Sequence, residues 1–79
     1  MFNRENPPFG PIATAKDIGR CVRARRKAQG ATQAEFAELC GVDVRFISEL
    51  ENGKPTLELG RVLQILNSLG LDLSVTHRG

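Results

Sequence analysis

The sequence predicts an all-α domain of four helices followed by one β-strand. Four segments place apolar residues at helical spacing, and each ends near a glycine, which takes the left-handed conformation after a helix without steric cost. Beyond Gly70 apolar and polar residues alternate instead, which is the period of a strand. The chain therefore divides into an arm over 1–13, a helical domain over 14–70, and a strand with a tail over 71–79.

Size and composition limit what such a domain does. At 79 residues it is a single small domain, which a second copy would stabilise. The net charge of +2 permits nucleic-acid binding without arguing for it. No apolar run approaches the roughly 20 residues of a membrane span and no signal peptide is visible. We expect a cytoplasmic protein with no membrane partner.

Nothing in the sequence indicates catalysis or metal binding. Cys21 and Cys40 lack the spacing of metal ligands, and the lone His77 has no nucleophile or acid organised around it. No glycine-rich phosphate loop is present. We expect no enzyme activity, no catalytic residue, no metal, no cofactor and no disulfide.

The arm contains prolines at 7, 8 and 11 and Gly10, which exclude a helix. Two interpretations stay open. The arm reaches into a DNA minor groove, or Phe9 and Ile12 tack an ordinary frayed terminus onto the domain. We favour the second, because Arg4 is the only basic residue here.

The first predicted helix covers 14–29, with Thr14 and Asp17 as a capping box. Ile18, Val22 and either Ala28 or Gln29 should face the core. More than half of the chain's 11 basic residues lie on this helix, namely Lys16, Arg20, Arg23, Arg25, Arg26 and Lys27. They form either a solvated face or a surface that meets phosphates, for which Arg23 and Lys27 are the candidates.

Two short helices follow, joined by a tight turn. Thr32 with Glu35 caps the first, and Gly41 ends it. Asp43 caps the second, and the stop at Asn52-Gly53 ends it. Neither is long enough to stand alone, so they must pack on each other and on the rest of the domain.

The second of these helices should bury Ile47 and Leu50, which are three residues apart. Its outward face then consists of short or polar side chains, namely Val44, Arg45, Ser48 and Glu49. A face of this size fits the major groove of DNA. Phe46 should pack at the edge of the core.

The fourth predicted helix runs from Leu57 to Leu69, with Thr56 as its cap. It has more apolar residues than one buried stripe needs, which suggests a contact with a second subunit. The strand that follows has no obvious partner within the chain, so we expect it to pair with the same strand of a second copy. The predicted dimerisation residues are Leu66, Leu69, Leu71, Leu73 and Val75.

The stretch 32–54 resembles the helix-turn-helix of Cro/C1-type (XRE, lambda repressor-like) DNA-binding domains. The residues that carry the resemblance are Thr32, Gln33, Ala37, Gly41, Ile47 and the run Leu50–Lys54. It covers about 14–70. Ordinary Cro/C1 domains continue with a fifth helix; the terminal strand and the run ISELENGKPT instead resemble the HipB-like, Y4mF-like antitoxin branch.

The resemblance implies a homodimeric repressor that binds a palindromic operator in double-stranded DNA, and is nucleoid-associated when bound. For the HipB-like branch it further implies an antitoxin that represses its own operon and binds a kinase-like, HipA-type toxin. It also implies a structural ion pair between Arg26 and Glu51.

Base identity should be read by Arg45, Val44, Ser48 and Glu49. A guanidinium meets guanine O6 and N7 with two hydrogen bonds, so Arg45 is the strongest candidate, and Val44 suits a thymine methyl group. Glu49 either accepts from cytosine N4 or orients Arg45. The residues expected at the DNA backbone are Thr32, Gln33, Asn52, Lys54, Arg23 and Lys27.

Two other functions fit the same fold. One is a stand-alone or phage-type regulator with no toxin partner. The other is a helix-turn-helix kept as a protein-interaction module, which the basic first helix and the unobstructed Arg45 argue against.

Overall fold

The computed structural model describes residues 9–79, in which the chain forms four helices and no strand. α1 spans Ala15–Ala28, α2 Gln33–Cys40, α3 Val44–Glu51 and α4 Leu59–Ser68. The predicted all-α class is confirmed. None of these helices is long and apolar enough to cross a membrane.

The starts of α1 and α2 follow their capping signals. Thr14 Oγ1 accepts from the Asp17 N–H at 3.3 Å, and Asp17 Oδ2 accepts from the Thr14 N–H at 2.9 Å. Thr32 and Glu35 make the same reciprocal pair at 3.1 and 2.9 Å. Both predicted capping boxes are confirmed, and they satisfy backbone donors that a helix start leaves unpaired.

α4 begins two residues later than the sequence predicts. Thr56 does not cap it and Leu57 is not helical, because the chain makes a turn and a bend after Pro55. The N-cap is Glu58, whose side chain makes no capping bond. Leu57 packs half-buried against the core, so tertiary packing overrides the local capping preference here.

The core gathers apolar side chains from all four helices. Its buried members are Val22, Phe36, Ala37, Ile47, Leu50, Val62, Ile65, Leu66 and Leu69. The expectation that Ala28 or Gln29 faces this core is wrong, since both are exposed and α1 buries Arg26 instead.

α1 approaches α3 very closely at Gly19. A Cβ at this position would lie 2.5 Å from the Leu50 carbonyl oxygen, so only glycine allows the contact. Arg25 Nε, near the end of α1, donates to the Leu69 carbonyl at 2.9 Å and fixes α1 to the end of α4. These two contacts fix α3 and the end of α4 to α1.

The segment after α4 forms no strand pairing with the rest of the described chain. Residues 72–79 are exposed, and Leu71 packs half-buried against the core. Leu66 and Leu69 lie in the chain's own core at 5% and 1% exposure, which leaves them little surface for a partner. Of the predicted dimerisation residues, Leu71, Leu73 and Val75 keep accessible surface, and their pairing across a dimer stays a prediction.

Residues 1–8 of the predicted arm lie outside the described residues. The described part of the arm places Phe9 and Ile12 in a shallow cavity shared with Leu71 and Leu73. The arm and the segment after α4 therefore lie side by side. Phe9 and Ile12 attach the arm to the domain, as the second interpretation expects.

Candidate nucleic-acid interface

α3 is anchored from behind. The Asp43 side chain accepts the Arg45 N–H at 3.1 Å and starts the helix. Ile47 and Leu50 are 0% and 4% exposed, so one side of the helix is committed to the core. The opposite side must then face solvent, and the predicted stripe of this helix is confirmed.

The turn before α3 sets its direction. Gly41 has φ 71°, which a residue with a side chain rarely adopts, and the Val42 N–H donates to the Ala37 carbonyl at 3.0 Å. Ala37 and Phe36 are each 3% exposed beneath the turn. α2 and α3 are thus locked into one helix-turn-helix unit.

Among the predicted base readers, Arg45 projects furthest, with a side chain 82% exposed. Val44 beside it is 43% exposed. Ser48 and Glu49, one turn further along, are half-buried. The structure brings all four predicted residues onto one patch, with an apolar side chain and a cation at its most accessible end.

Glu49 bonds two cations at once. Its Oε2 accepts from Arg45 Nε and from Lys54 Nζ, each at 3.3 Å. Of the two roles that the sequence leaves open for Glu49, this arrangement favours orienting Arg45. The bond from Lys54 is not anticipated by the sequence, since Lys54 lies beyond the helix end.

Arg26 and Glu51 form the expected ion pair, and it is buried. Arg26 Nε and Nη2 donate to the two Glu51 oxygens at 2.6 and 2.9 Å, and the side chains are 8% and 2% exposed. Arg26 Nη1 also donates to the Ala31 carbonyl at 2.7 Å. Gln33 Nε2 adds a bond to Glu51 Oε1 at 3.0 Å. One carboxylate therefore joins α1, α2 and α3.

The same network shifts the pKa values of both Glu51 and Arg26. Burial acts to raise the pKa of Glu51, but the hydrogen bonds from Arg26 and Gln33 and the charges of Arg26 and Arg23 outweigh it, so the pKa lies below the ordinary value. The hydrogen bond to Glu51 raises the pKa of Arg26. The pair stays ionised at neutral pH and fixes the end of α3 to α1.

The predicted backbone contacts lie on α1, at the start of α2 and just after α3. Asn52 caps its end and is exposed, and Arg23 and Lys27 are exposed on α1. Gln33 gives one N–H of its amide to Glu51, which leaves the second available. The Thr32 hydroxyl accepts the Glu35 N–H as a cap and retains its own proton to donate.

Two contacts beside this surface are not predicted from the sequence. The Lys16 side chain lies against Gly53, where an added Cβ would come within 2.5 Å of Lys16 Cγ. Arg61 lies over the Phe46 ring, 5.9 Å from its centroid, and Phe46 packs on the core as predicted. The local signals for these contacts in the sequence are the turn glycine Gly53 and the aromatic Phe46 near the start of α3.

Metal binding and thiol chemistry would depend on the His, Cys, Asp and Glu side chains of the described residues. In the part of the chain that the structure describes, no three His, Cys, Asp or Glu side chains lie close enough to hold a metal ion. Burial raises the pKa of the Cys21 and Cys40 thiols, so neither is activated as a thiolate.

Known proteins match both the sequence and this geometry. The helix-turn-helix family model matches residues 22–75. The chain is 47% identical over 68 residues to the uncharacterized HTH-type transcriptional regulator y4mF of Sinorhizobium fredii (strain NBRC 101917 / NGR234), which covers 86% of this chain and 90% of y4mF.

Solved structures that contain HipB are similar in fold. A HipB–O4 20mer complex aligns with a TM-score of 0.77 at 27% identity, over 90% of this chain and 100% of the matched chain. The HipA–HipB–O2–O3 complex aligns with a TM-score of 0.76 at 27% identity and the same coverage.

Proposed function

This chain belongs to the helix-turn-helix family, and from that premise we propose that it is a dimeric repressor of its own operon and the antitoxin partner of a kinase-like toxin. Family membership makes it a DNA-binding transcriptional regulator and not an enzyme. The proposal concerns the residues that read DNA, the dimer, and the toxin.

The observation that carries the proposal is the free face of α3. An α-helix with its side chains is about 10–12 Å wide and enters a major groove about 12 Å wide. α3 offers this groove Val44, Arg45, Ser48 and Glu49, while its other side is held in the core. We assign sequence readout to this face, with Arg45 at a guanine.

The backbone contacts fall to residues that flank this face. Thr32 and Gln33 stand at the start of α2, where unpaired backbone N–H groups also attract a phosphate. Asn52 and Lys54 follow α3, and Arg23 and Lys27 extend the positive surface along α1. These contacts set affinity and salt dependence but not sequence preference.

The C-terminal segment supports a dimer. Leu73 and Val75 are 45% and 96% exposed, and their backbone lies in no ladder within the described chain. Leu63 on α4, which lines a cavity with Leu71 and Leu73, is exposed as well, at 41%. Pairing of two such segments would cover this apolar surface and satisfy the backbone groups.

The antitoxin role is supported by likeness to HipB. One similar structure contains HipB with HipA, and the alignment spans the whole of the matched chain. A partner of that type, a kinase-like toxin, is the one we assign to this chain.

A regulator with no toxin partner is the second candidate. It is favoured by the more similar relative, y4mF, whose name describes only an HTH-type transcriptional regulator. Expression of the chain with its neighbouring reading frames, followed by co-purification, separates the two. A stable complex with a kinase-like neighbour supports the antitoxin, and its absence supports the stand-alone regulator.

Selection of bound duplexes from a random pool tests DNA readout directly. We expect two inverted half-sites with centres about one helical turn, roughly 34–36 Å, apart, since a two-fold dimer places two α3 helices in successive major grooves. An enriched single half-site would contradict the dimer. A pool that stays unenriched would contradict sequence-specific binding altogether.

A further inference from the structure

We propose that Glu49 is a positioning residue, which sets the guanidinium of Arg45 for guanine and does not itself read a base. The proposal rests on the proposed function, because it concerns the same face of α3. It gives a carboxylate in the middle of a DNA-binding surface a role, although its charge opposes the approach of phosphates.

The first support is the identity of the Arg45 nitrogen that donates to Glu49. The contact at 3.3 Å uses Arg45 Nε. The two terminal nitrogens are left out of this contact, and they form the fork that meets guanine O6 and N7. Glu49 thus fixes the plane of the guanidinium from behind while its reading edge points outward, on a side chain that is 82% exposed.

The second support is that the carboxylate is itself restrained. Lys54 Nζ donates to the same Oε2 at 3.3 Å, and the Glu49 side chain is only 27% exposed. Lys54 approaches from beyond the end of α3, whereas Arg45 lies one turn earlier. A carboxylate bonded from both sides is a fixed reference for Arg45, and two of the three ammonium protons of Lys54 remain for a phosphate.

The third support is that helix stability does not explain the pair. Arg45 lies in the first turn of α3 and Glu49 in its second half, so the cation is near the positive end of the helix dipole and the anion is toward the negative end. An arginine that precedes its glutamate by four residues is also the weaker order for such a pair. The placement of these two charges is unfavourable for the helix dipole, so their role is better explained by the DNA-binding surface.

The test compares the base preferences of five chains: native, Arg45→Ala, Glu49→Gln, Lys54→Ala and the double variant Arg45→Ala/Glu49→Gln. Each is used to select duplexes from the same random pool, and binding is then measured on the native chain's best duplex and on a scrambled duplex of equal composition. Glu58→Gln serves as the matched control, because it removes a carboxylate from another surface arginine pair, Glu58 with Arg61 at 3.4 Å.

We expect Glu49→Gln to weaken preference at the same base pair as Arg45→Ala. Its ratio of affinities for the selected and scrambled duplexes should fall about tenfold, which is within the range for one bidentate arginine–guanine contact. In the Arg45→Ala background, Glu49→Gln should leave the ratio unchanged. Lys54→Ala should weaken both duplexes by similar factors and lower the ratio much less than Glu49→Gln does, because Arg45 still bonds the Glu49 carboxylate. Glu58→Gln should keep the ratio.

Three results would overturn the inference. Loss of preference at a different, cytosine-containing base pair would make Glu49 a reader. An unchanged motif would give it no part in recognition. A lowered urea midpoint with equal losses on both duplexes would make its role structural. If the native chain enriches no motif, the proposed function fails first, and this outcome is distinct from the other three.

Discussion

Glu51 and Glu49 lie on the same helix with one residue between them, and each accepts hydrogen bonds from an arginine. The Glu51 and Arg26 side chains are 2% and 8% exposed, whereas those of Glu49 and Arg45 are 27% and 82% exposed. The buried pair makes two short bonds and joins three helices; the outer pair makes one long bond within a single helix. Burial, and not residue type, separates the ion pair that holds the fold from the one that is free to meet DNA.

The largest expected effect is on the buried side. Arg26→Ala leaves the Glu51 carboxylate buried with Gln33 as its remaining partner, and breaking a buried pair in this way costs roughly 3–5 kcal/mol of unfolding free energy. Urea denaturation at fixed protein concentration measures it, since association would shift the apparent value.

Arg20→Ala is the matched control for that measurement. It removes an arginine from the same helix, but from an exposed pair with Asp17, and such pairs contribute less than about 1 kcal/mol. Equal losses for the two variants would show that burial does not divide the pairs as described.

The next effect falls on the outer pair and on binding alone. Arg45→Ala should cost roughly 1–3 kcal/mol of affinity for the selected duplex and relax preference at one base pair. Its unfolding free energy should stay within about 0.5 kcal/mol of the native value, because the side chain is exposed. Equal losses on selected and scrambled duplexes would remove Arg45 from base readout.

Acid should distinguish the buried carboxylate by its titration. The pKa of Glu51 is lowered in the folded chain, so its contribution to stability is complete above the unfolded value, near 4.5, and is lost as the pH falls through the folded value. We expect the stability advantage of the native chain over Glu51→Gln to shrink below about pH 4.5. Asp17, whose pKa is also lowered, is present in both chains and cancels. An advantage that stays constant down to acid pH would contradict the assignment.

The parts of the molecule that the sequence predicts are those with local causes. Both capping boxes, the turn at Gly41 and the buried stripe of α3 depend on residues within four positions of one another. The Arg26–Glu51 pair is a contact between distant segments, and the family resemblance implies it, whereas the pattern of the residues does not.

The parts that the sequence misses depend on packing between elements. The start of α4 is set by the burial of Leu57, and the approach of α1 to α3 is set by Gly19, whose neighbour is a backbone carbonyl of another helix. A glycine inside a helix was the available signal, since it is costly there unless a close contact requires it. In the candidate site, the bond from Lys54 to Glu49 crosses the helix end and has no helical spacing to indicate it.

The smallest expected effect tests whether the cation beyond α3 belongs with the readers or with the backbone contacts. Lys54→Ala should weaken the selected and scrambled duplexes by similar factors, because a phosphate carries no sequence information. The slope of log affinity against log salt should become shallower by about 1, the change for one lost phosphate contact. Glu58→Gln, which changes the net charge without removing a cation, should leave that slope unchanged. A Lys54→Ala chain with the native slope but a lower preference for the selected duplex would place Lys54 with Arg45 among the residues that determine sequence.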